Sequence, residues 1–340
     1  MKVKPPIPDA VERAGALLQP ALRAAVDRLS PGLAAPARYH FGWADASGRL
    51  LPQGRHGKGV RPALALLSAE AVGAGPEVAL PGAVAVELIH NFSLIHDDIV
   101  DDDAQRRHRP TMWKVFGVGD AIIVGDALMG LALEVLLGEQ TPARAAAAAD
   151  LTRATMEMIT GQNMDMSFEL RDNVDVQECW EMVSLKTGAL LAHASAVGAI
   201  LAEAPTETVE ALRSFGMQLG LGFQALDDLL GIWGDPAVTG KPVGNDLRER
   251  KMSIPVTVAL GSGTPAGEKL ATLYAKDHLD ESDLARAAAL VEQAGGREAT
   301  AAAAQERLHG AAEALSNAAI EPSPAREMLD LAHFVVNREF

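Results

Sequence analysis

Apolar residues recur every three or four positions along most of the chain, the spacing of a buried helix face rather than of a strand. The segment PGAVAVELIHNFSLIHDDIVDD follows this period, and Pro81, tolerated in a first helical turn, marks its expected start. A helix is predicted from about Asp9 to Leu29, then a loop marked by Pro31, Gly32 and Pro36. The stretch LLPQGRHGKGVRP is too rich in Gly and Pro for regular helix, and Pro62 suits the first turn of the helix PALALLSAEAV. Further helices are expected over about 119–137, 142–172, 176–201 and 206–231, with AQRRHRPT and GIWGDPAVTGKPVGNDLRERKMSIP as loops. An Ala-rich helical portion fills 265–340. No repeat and no linker is visible, so one all-α domain over 1–340 is expected.

Composition narrows the function. Thirty basic residues against forty-five acidic ones, a net charge of −15, argue against a general nucleic-acid binder, which needs a basic surface. Aromatic residues at 4% disfavour a β-sandwich or barrel. The single cysteine, Cys179, has no partner for an internal disulfide, which fits a reducing cytoplasm. The longest apolar stretch, from Gly188 to Ala202, is too short to span a bilayer and carries His193 and Ser195. The N-terminal MKVKPPIPDA lacks the apolar run of a secretory signal.

The informative chemistry is acidic. Asp97, Asp98, Asp101, Asp102 and Asp103 crowd a helix C-terminus, where the macrodipole prefers cations. Asp97 and Asp101 lie one turn apart on one face, roughly 6 Å between side-chain bases, which suits two oxygen ligands of Mg²⁺. A solvated acidic tip is the bland alternative, but the preceding ELIHNFSLIH is too apolar for an exposed face. A second pair, Asp227-Asp228, ends another apolar run about 130 residues on, with Gln224 on nearly the face of Asp227. Three basic loop clusters complement these acids: Lys58 with Arg61, Arg106 with Arg107, and Lys241 with Lys251. Gly57, Gly59 and Gly240 beside them permit close backbone approach to a ligand. Arginine forks and lysine point charges beside carboxylates point to a diphosphate site. Ion pairing of Arg106 and Arg107 with Asp102 and Asp103 would explain one cluster and leave the others.

The motifs GKGVRP, ELIHNFSLIHDDIVDDDAQRRHRPT, VGDALM, GQNMD, KTGAL, FQALDDLLGIWGD and TGKPVGND together resemble the trans-isoprenyl diphosphate synthase (polyprenyl synthetase) family, in its order and spacing. The motifs lie within 57–251. The resemblance implies a helical bundle around a deep central cavity, the isoprenoid synthase fold, usually as a homodimer. It implies head-to-tail joining of isopentenyl diphosphate to an allylic diphosphate with Mg²⁺. Carried over by position, Asp97, Asp101 and Asp227 match metal ligands. Lys58, Arg61, His90 and Arg107 match the isopentenyl diphosphate site. Arg106, Lys186 and Lys241 match allylic diphosphate contacts, and Thr187 and Gln224 line the reaction centre. The second acidic motif departs from the family's DDxxD pattern, with Gly231 in the last position; Asp235 is available to assist or simply shapes its loop.

For product length, Phe92 and Ser93 stand five and four residues before Asp97, and the first acidic motif has no two-residue insertion. This combination resembles geranylgeranyl diphosphate synthases, with farnesyl or longer-chain synthases as alternatives. A helix rises 1.5 Å per residue, so Phe92 lies about 7.5 Å below Asp97, although an ideal wheel turns it away and brings Ser93 nearer that face. Core packing is the alternative role for Phe92. Three other functions compete. A class I terpene cyclase would not use the isopentenyl set, and a non-catalytic synthase subunit would tolerate Gly231. His96-Asp97 also fits the short signature of an HD-type metal phosphohydrolase, which would draw on His40, His56 and His90. That reading leaves the cationic clusters and the second aspartate pair unexplained.

Overall fold

The computed structural model describes residues 7–51, 59–171, 173–235, 243–276 and 278–336. Helices make up 76% of the chain and the strands among the described residues form one two-residue hairpin, so the fold is all-α, as expected. Lys58, Lys241, His56, Gly57 and Gly240 lie outside the described residues. Contacts group the chain into two compact units, 1–153 with 193–213 and 318–331, and 154–192 with 214–317 and 332–340.

The first unit holds α1 (Asp9–Val26), α2 (Pro31–His40), α3 (Val60–Ala71), α4 (Pro76–Val100), α5 (Met112–Phe116) and α6 (Val118–Leu136). Helix α4 packs along α3 and α6. Ala83, Val84, Ala85 and Val86 are buried in succession, so α4 is apolar on every side, which is the pattern of a core helix. Two stretches, Pro76–Val100 and Val176–Leu201, are long and apolar enough to cross a membrane by length and composition, and 61% and 78% of their apolar 18-residue windows is buried inside the protein. The start of α4 lies five residues before the expected Pro81: Pro76 takes the first turn and Pro81 is accommodated inside the helix. The loop expected at Pro31–Pro36 is also helix, because Pro31 occupies the favoured first position of α2.

AQRRHRPT is a hairpin pairing Gln105–Arg106 with Arg109–Pro110. Its two central residues, Arg107 and His108, have φ of 53° and 62°, as a type I′ turn demands. Without Gly or Asn at either position the turn gives no sequence signal.

Next come α7 (Pro142–Phe168), α8 (Val176–Val183), α9 (Ala189–Leu201) and α10 (Thr206–Trp233), and the Ala-rich C-terminal portion forms the expected helices, Pro265–Tyr274, Glu281–Gln293, Gly296–Ser316 and Pro322–Val336. Asp150 of α7, His193 of α9 and Arg213 of α10 meet inside the first unit. Asp150 accepts from His193 Nδ1 at 2.7 Å and from Arg213 Nη2 at 2.9 Å. Burial alone would raise the Asp150 carboxyl, but these partners hold it down to about 2. On α9, Gly198 leaves no room for a Cβ, which would stand 2.3 Å from the Ala65 carbonyl oxygen, and its N–H donates to Ser68 Oγ on α3.

In the second unit, one core gathers Ile232, Leu247, Val256, Leu270, Leu290 and Val291. Another gathers Phe168, Val174, Val183, Leu221 and Ile254 around Cys179, whose thiol donates to the Met252 carbonyl. Burial pushes that thiol up. The helix expected over 176–201 is broken by a π-helical turn, Ser184–Gly188, between α8 and α9. The loop expected from Gly231 contains the end of α10 and a one-turn helix, Asn245–Arg248.

Candidate active site

The first unit brings the acidic end of α4 against the hairpin. Asp101 caps α4, its N–H bonded to the Asp97 carbonyl oxygen, which places the two carboxylates one turn apart. Asp98 turns the other way. It is 1% exposed and accepts from Arg106 Nε at 2.6 Å. Burial raises its carboxyl, and the Arg106 charge opposes that rise. Arg106 thus pairs with Asp98, a partner not considered from sequence, and the Asp102 carboxylate faces Lys114.

Behind the hairpin lies a polar relay absent from the sequence reading. His40 Nε2 donates to Asn91 Oδ1, and Asn91 Nδ2 donates to Glu87 Oε1. Burial raises the Glu87 carboxyl, and the nearby Asn91, Arg61 and Arg107 hold it back. Arg61 Nη1 donates to His90 Nε2 over 3.4 Å, and Arg61 Nε is buried with no hydrogen-bond partner among the described residues. Burial, with Arg61, Arg107 and Arg106 nearby, keeps His90 well below its usual pKa, so it is neutral and accepts. His40 falls to about 3 from burial, with Arg106, Arg107 and Arg109 nearby. Arg61, His90 and Arg107 are thus gathered, with Glu87 as counter-charge. A cavity of 270 Å³ beside them is lined by Leu18, Gln19, Gly59, Glu87 and Arg107. No one-sequence signal singles out Glu87, because its role depends on cations twenty or more residues away.

The second unit assembles the other set. The π-turn presents Lys186 and Thr187. Lys186 Nζ pairs with Asp165 Oδ2 of α7 at 2.5 Å. Gly161, one turn earlier on α7, faces the turn so closely that a Cβ would lie 2.3 Å from the Lys186 backbone nitrogen. Both belong to GQNMD, whose purpose the sequence left open. Thr187 Oγ1 donates to Gln224 Oε1 at 2.9 Å, and Gln224 Nε2 donates to Asp228 Oδ1 at 2.8 Å. Asp228 is buried and also accepts from the Ile254 N–H, whereas Asp227 beside it is exposed. Burial, then the charges of Asp246 and Asp227, push the Asp228 carboxyl up to about 7. Lys251 pairs with Glu249.

Phe92 and Ser93 lie on α4, Phe92 buried and Ser93 with its hydroxyl donating to the His90 carbonyl. His96 joins no histidine cluster. Among the described residues no three His, Cys, Asp or Glu side chains form a ready-made metal cage.

Residues 51–291 match the polyprenyl synthetase family. The chain belongs to that family. It is 45% identical over 327 residues to a (2E,6E)-farnesyl diphosphate synthase of Mycobacterium tuberculosis, covering 95% of this chain and 91% of the relative. It is 43% identical over 331 residues to a geranylgeranyl diphosphate synthase of the same organism, covering 97% and 93%. The crystal structure of a polyprenyl synthetase from Streptomyces coelicolor superposes with a TM-score of 0.92 at 52% identity, over 96% of this chain and 99% of that one. This polyprenyl synthetase is accordingly a transferase with the isoprenoid synthase fold, acting as a trans-prenyltransferase.

Within the family pattern, Gly231 acquires a physical reason. A Cβ there would stand 1.9 Å from Asp246 Oδ2 and 2.4 Å from Asp246 Cγ. The carboxylate of Asp246, from the TGKPVGND motif, therefore occupies the space beside Asp228 where a side chain at 231 would begin. Asp235, exposed beyond the end of α10, is not the residue found there. The donor chemistry of both units suits Mg²⁺. Each offers carboxylate oxygens without thiolates, and this ion is commonly held by one or two carboxylates with water and substrate phosphate completing its shell.

Proposed function

We propose that this prenyltransferase condenses isopentenyl diphosphate with an allylic diphosphate and that chain growth ends at geranylgeranyl diphosphate. The observation that carries the product length is Phe92, buried five residues before Asp97 with Ser93 after it and no insertion in the motif. A farnesyl diphosphate end product is the second reading, supported by the 45% identity to a farnesyl diphosphate synthase.

In this reading Lys58, Arg61, His90 and Arg107 hold isopentenyl diphosphate. Arg106, steadied by Asp98 through one of its five donors, uses others with Lys186 and Lys241 to bind the allylic diphosphate. Asp97, Asp101 and Asp227 would hold Mg²⁺, which would supply positive charge to the departing diphosphate. The allylic carbon–oxygen bond breaks and its electron pair leaves with the diphosphate. The double bond of isopentenyl diphosphate adds to the resulting allylic cation, and a proton from the adduct passes to the released diphosphate. Thr187 and Gln224, hydrogen-bonded to each other, line the reacting carbons and fix that wall. Holding both substrates in place removes the bimolecular search.

The same reading makes the protein a single functional domain, cytoplasmic and homodimeric. Val118, Ile122 and Ile123, exposed by 45%, 42% and 55% on α6, support pairing with a second copy of the chain. The test is incubation with Mg²⁺, isopentenyl diphosphate and each allylic starter, with product identification. Geranylgeranyl diphosphate should accumulate; farnesyl diphosphate as the terminal product would select the second reading. Asp97→Ala and Asp227→Ala should each lower turnover by about two orders of magnitude or more, the scale of losing a charge-stabilising group. Near-normal rates would remove the metal assignment.

A further inference from the structure

Helices α4 and α6 interlock at one point that neither the metal nor the substrate reading uses. His96, between Phe92 and Asp97 on α4, directs its ring at α6, where Nε2–H donates to the Ile122 carbonyl oxygen at 3.1 Å. That bond requires a proton on Nε2, and the Asp126 carboxylate lies 3.9 Å from the same nitrogen. The ring fills the gap left by Gly125, in the VGDALM motif. A Cβ at Gly125 would meet His96 Nε2 at 2.2 Å and Cδ2 at 2.5 Å, and the three atoms nearest to it all belong to this ring. On its other side the ring meets Phe92 edge to face, with centroids 4.9 Å apart and planes at 74°. Phe92 is thus not simply a bulky residue one helical turn from His96. Its ring is braced by a neighbour that is itself locked to α6 by a hydrogen bond and by the absence of a side chain.

We propose that His96 is a specificity-determining positioning residue: seated in the Gly125 gap, it holds the Phe92 ring in the orientation that ends chain growth. The proposal rests on the reading of Phe92 as the stopper. Without the brace, Phe92 can tip into the space vacated by the imidazole, and the pocket deepens. Filling the gap has the same consequence by another route, since a methyl at 125 evicts the ring and breaks its bond to Ile122.

The experiment compares Phe92→Ala, His96→Ala, Gly125→Ala and the His96→Ala/Gly125→Ala double variant in the full-length protein, reading product chain lengths alongside total turnover. His96→Ala and Gly125→Ala should each raise the ratio of longer products to the normal end product by about two- to tenfold, the range an aromatic pair of this kind contributes. The double variant should match His96→Ala, because with the ring gone the added methyl displaces nothing. A purely structural role would lower turnover and leave the length distribution unchanged, and that result overturns the proposal. If Phe92→Ala lengthens products and His96→Ala does not, the brace fails and the stopper stands. If Phe92→Ala leaves the distribution unchanged, the stopper itself fails and the proposal with it. Should Gly125→Ala alone prove insoluble, His96→Ala still decides, since it removes a ring without adding atoms.

Discussion

Asp97 and Asp98 are adjacent in sequence and face opposite surroundings, and Asp227 and Asp228 repeat the arrangement. In each pair the second carboxylate is buried and held internally, by Arg106 in one case and by Gln224 with the Ile254 amide in the other. The sequence displayed both pairs but not which member faces inward, because the partners come from eight and twenty-six residues away. Gly231 looked like a missing ligand and is instead a vacancy required by Asp246. Restoring the family residue with Gly231→Asp should therefore destabilise the protein by about 1–3 kcal/mol, the scale of overpacking, and adding Asp246→Ala should recover most of it. Denaturant unfolding decides; a fully stable single variant would refute the steric account.

His40 gives a residue-level pH dependence. Its folded pKa, about 3, lies below the value near 6.5 of an unfolded histidine. Between these values the unfolded chain binds the extra proton, so stability contributed by neutral His40 is complete above about pH 6.5 and is lost as pH falls toward 3. His40→Gln, which keeps a donor for Asn91, should flatten the decline in melting temperature between pH 6.5 and 4. An unchanged slope would assign that decline to other groups.

At the scale of elements, the apolar period located nearly every long helix, and the errors share a cause. Pro31 and Pro76 were compatible with helix starts that the eye discounts, while Pro81 sits inside α4 because the surrounding core outweighs one lost backbone bond. The π-turn had no signature at all, since it depends on α7 passing close beside it. That close passage gives a test. Gly161→Ala places a methyl 2.3 Å from a backbone nitrogen, which cannot swing aside as a side chain could. We expect about 1–3 kcal/mol lost stability together with a lower kcat as Lys186 parts from Asp165. A variant with unaltered unfolding and turnover would show that α7 has slack there.

For the whole molecule, the all-helical class was legible from few aromatics and abundant helix formers, and the family from its motifs. The grouping into two compact units was not, because three of its limits fall inside α7, α9 and α10, where the helical period runs on unbroken. Long-range fixation comes from groups like Asp150, which accepts from Nδ1 of the fully buried His193 and from Arg213 at once. Asp150→Ala leaves Arg213 and the His193 ring without this carboxylate and should cost about 3–5 kcal/mol, readable as a large fall in melting temperature; a shift of under a degree would show that water or Glu210 replaces it.

Cys179, sealed within the second unit with its thiol bonded to a carbonyl and hard to ionise, bears on how the enzyme can be studied. Thiolate-directed dyes and spin labels should ignore the native protein. A cysteine introduced at any chosen surface position then becomes the sole attachment point, and distances during turnover can be followed without first removing the natural sulfhydryl.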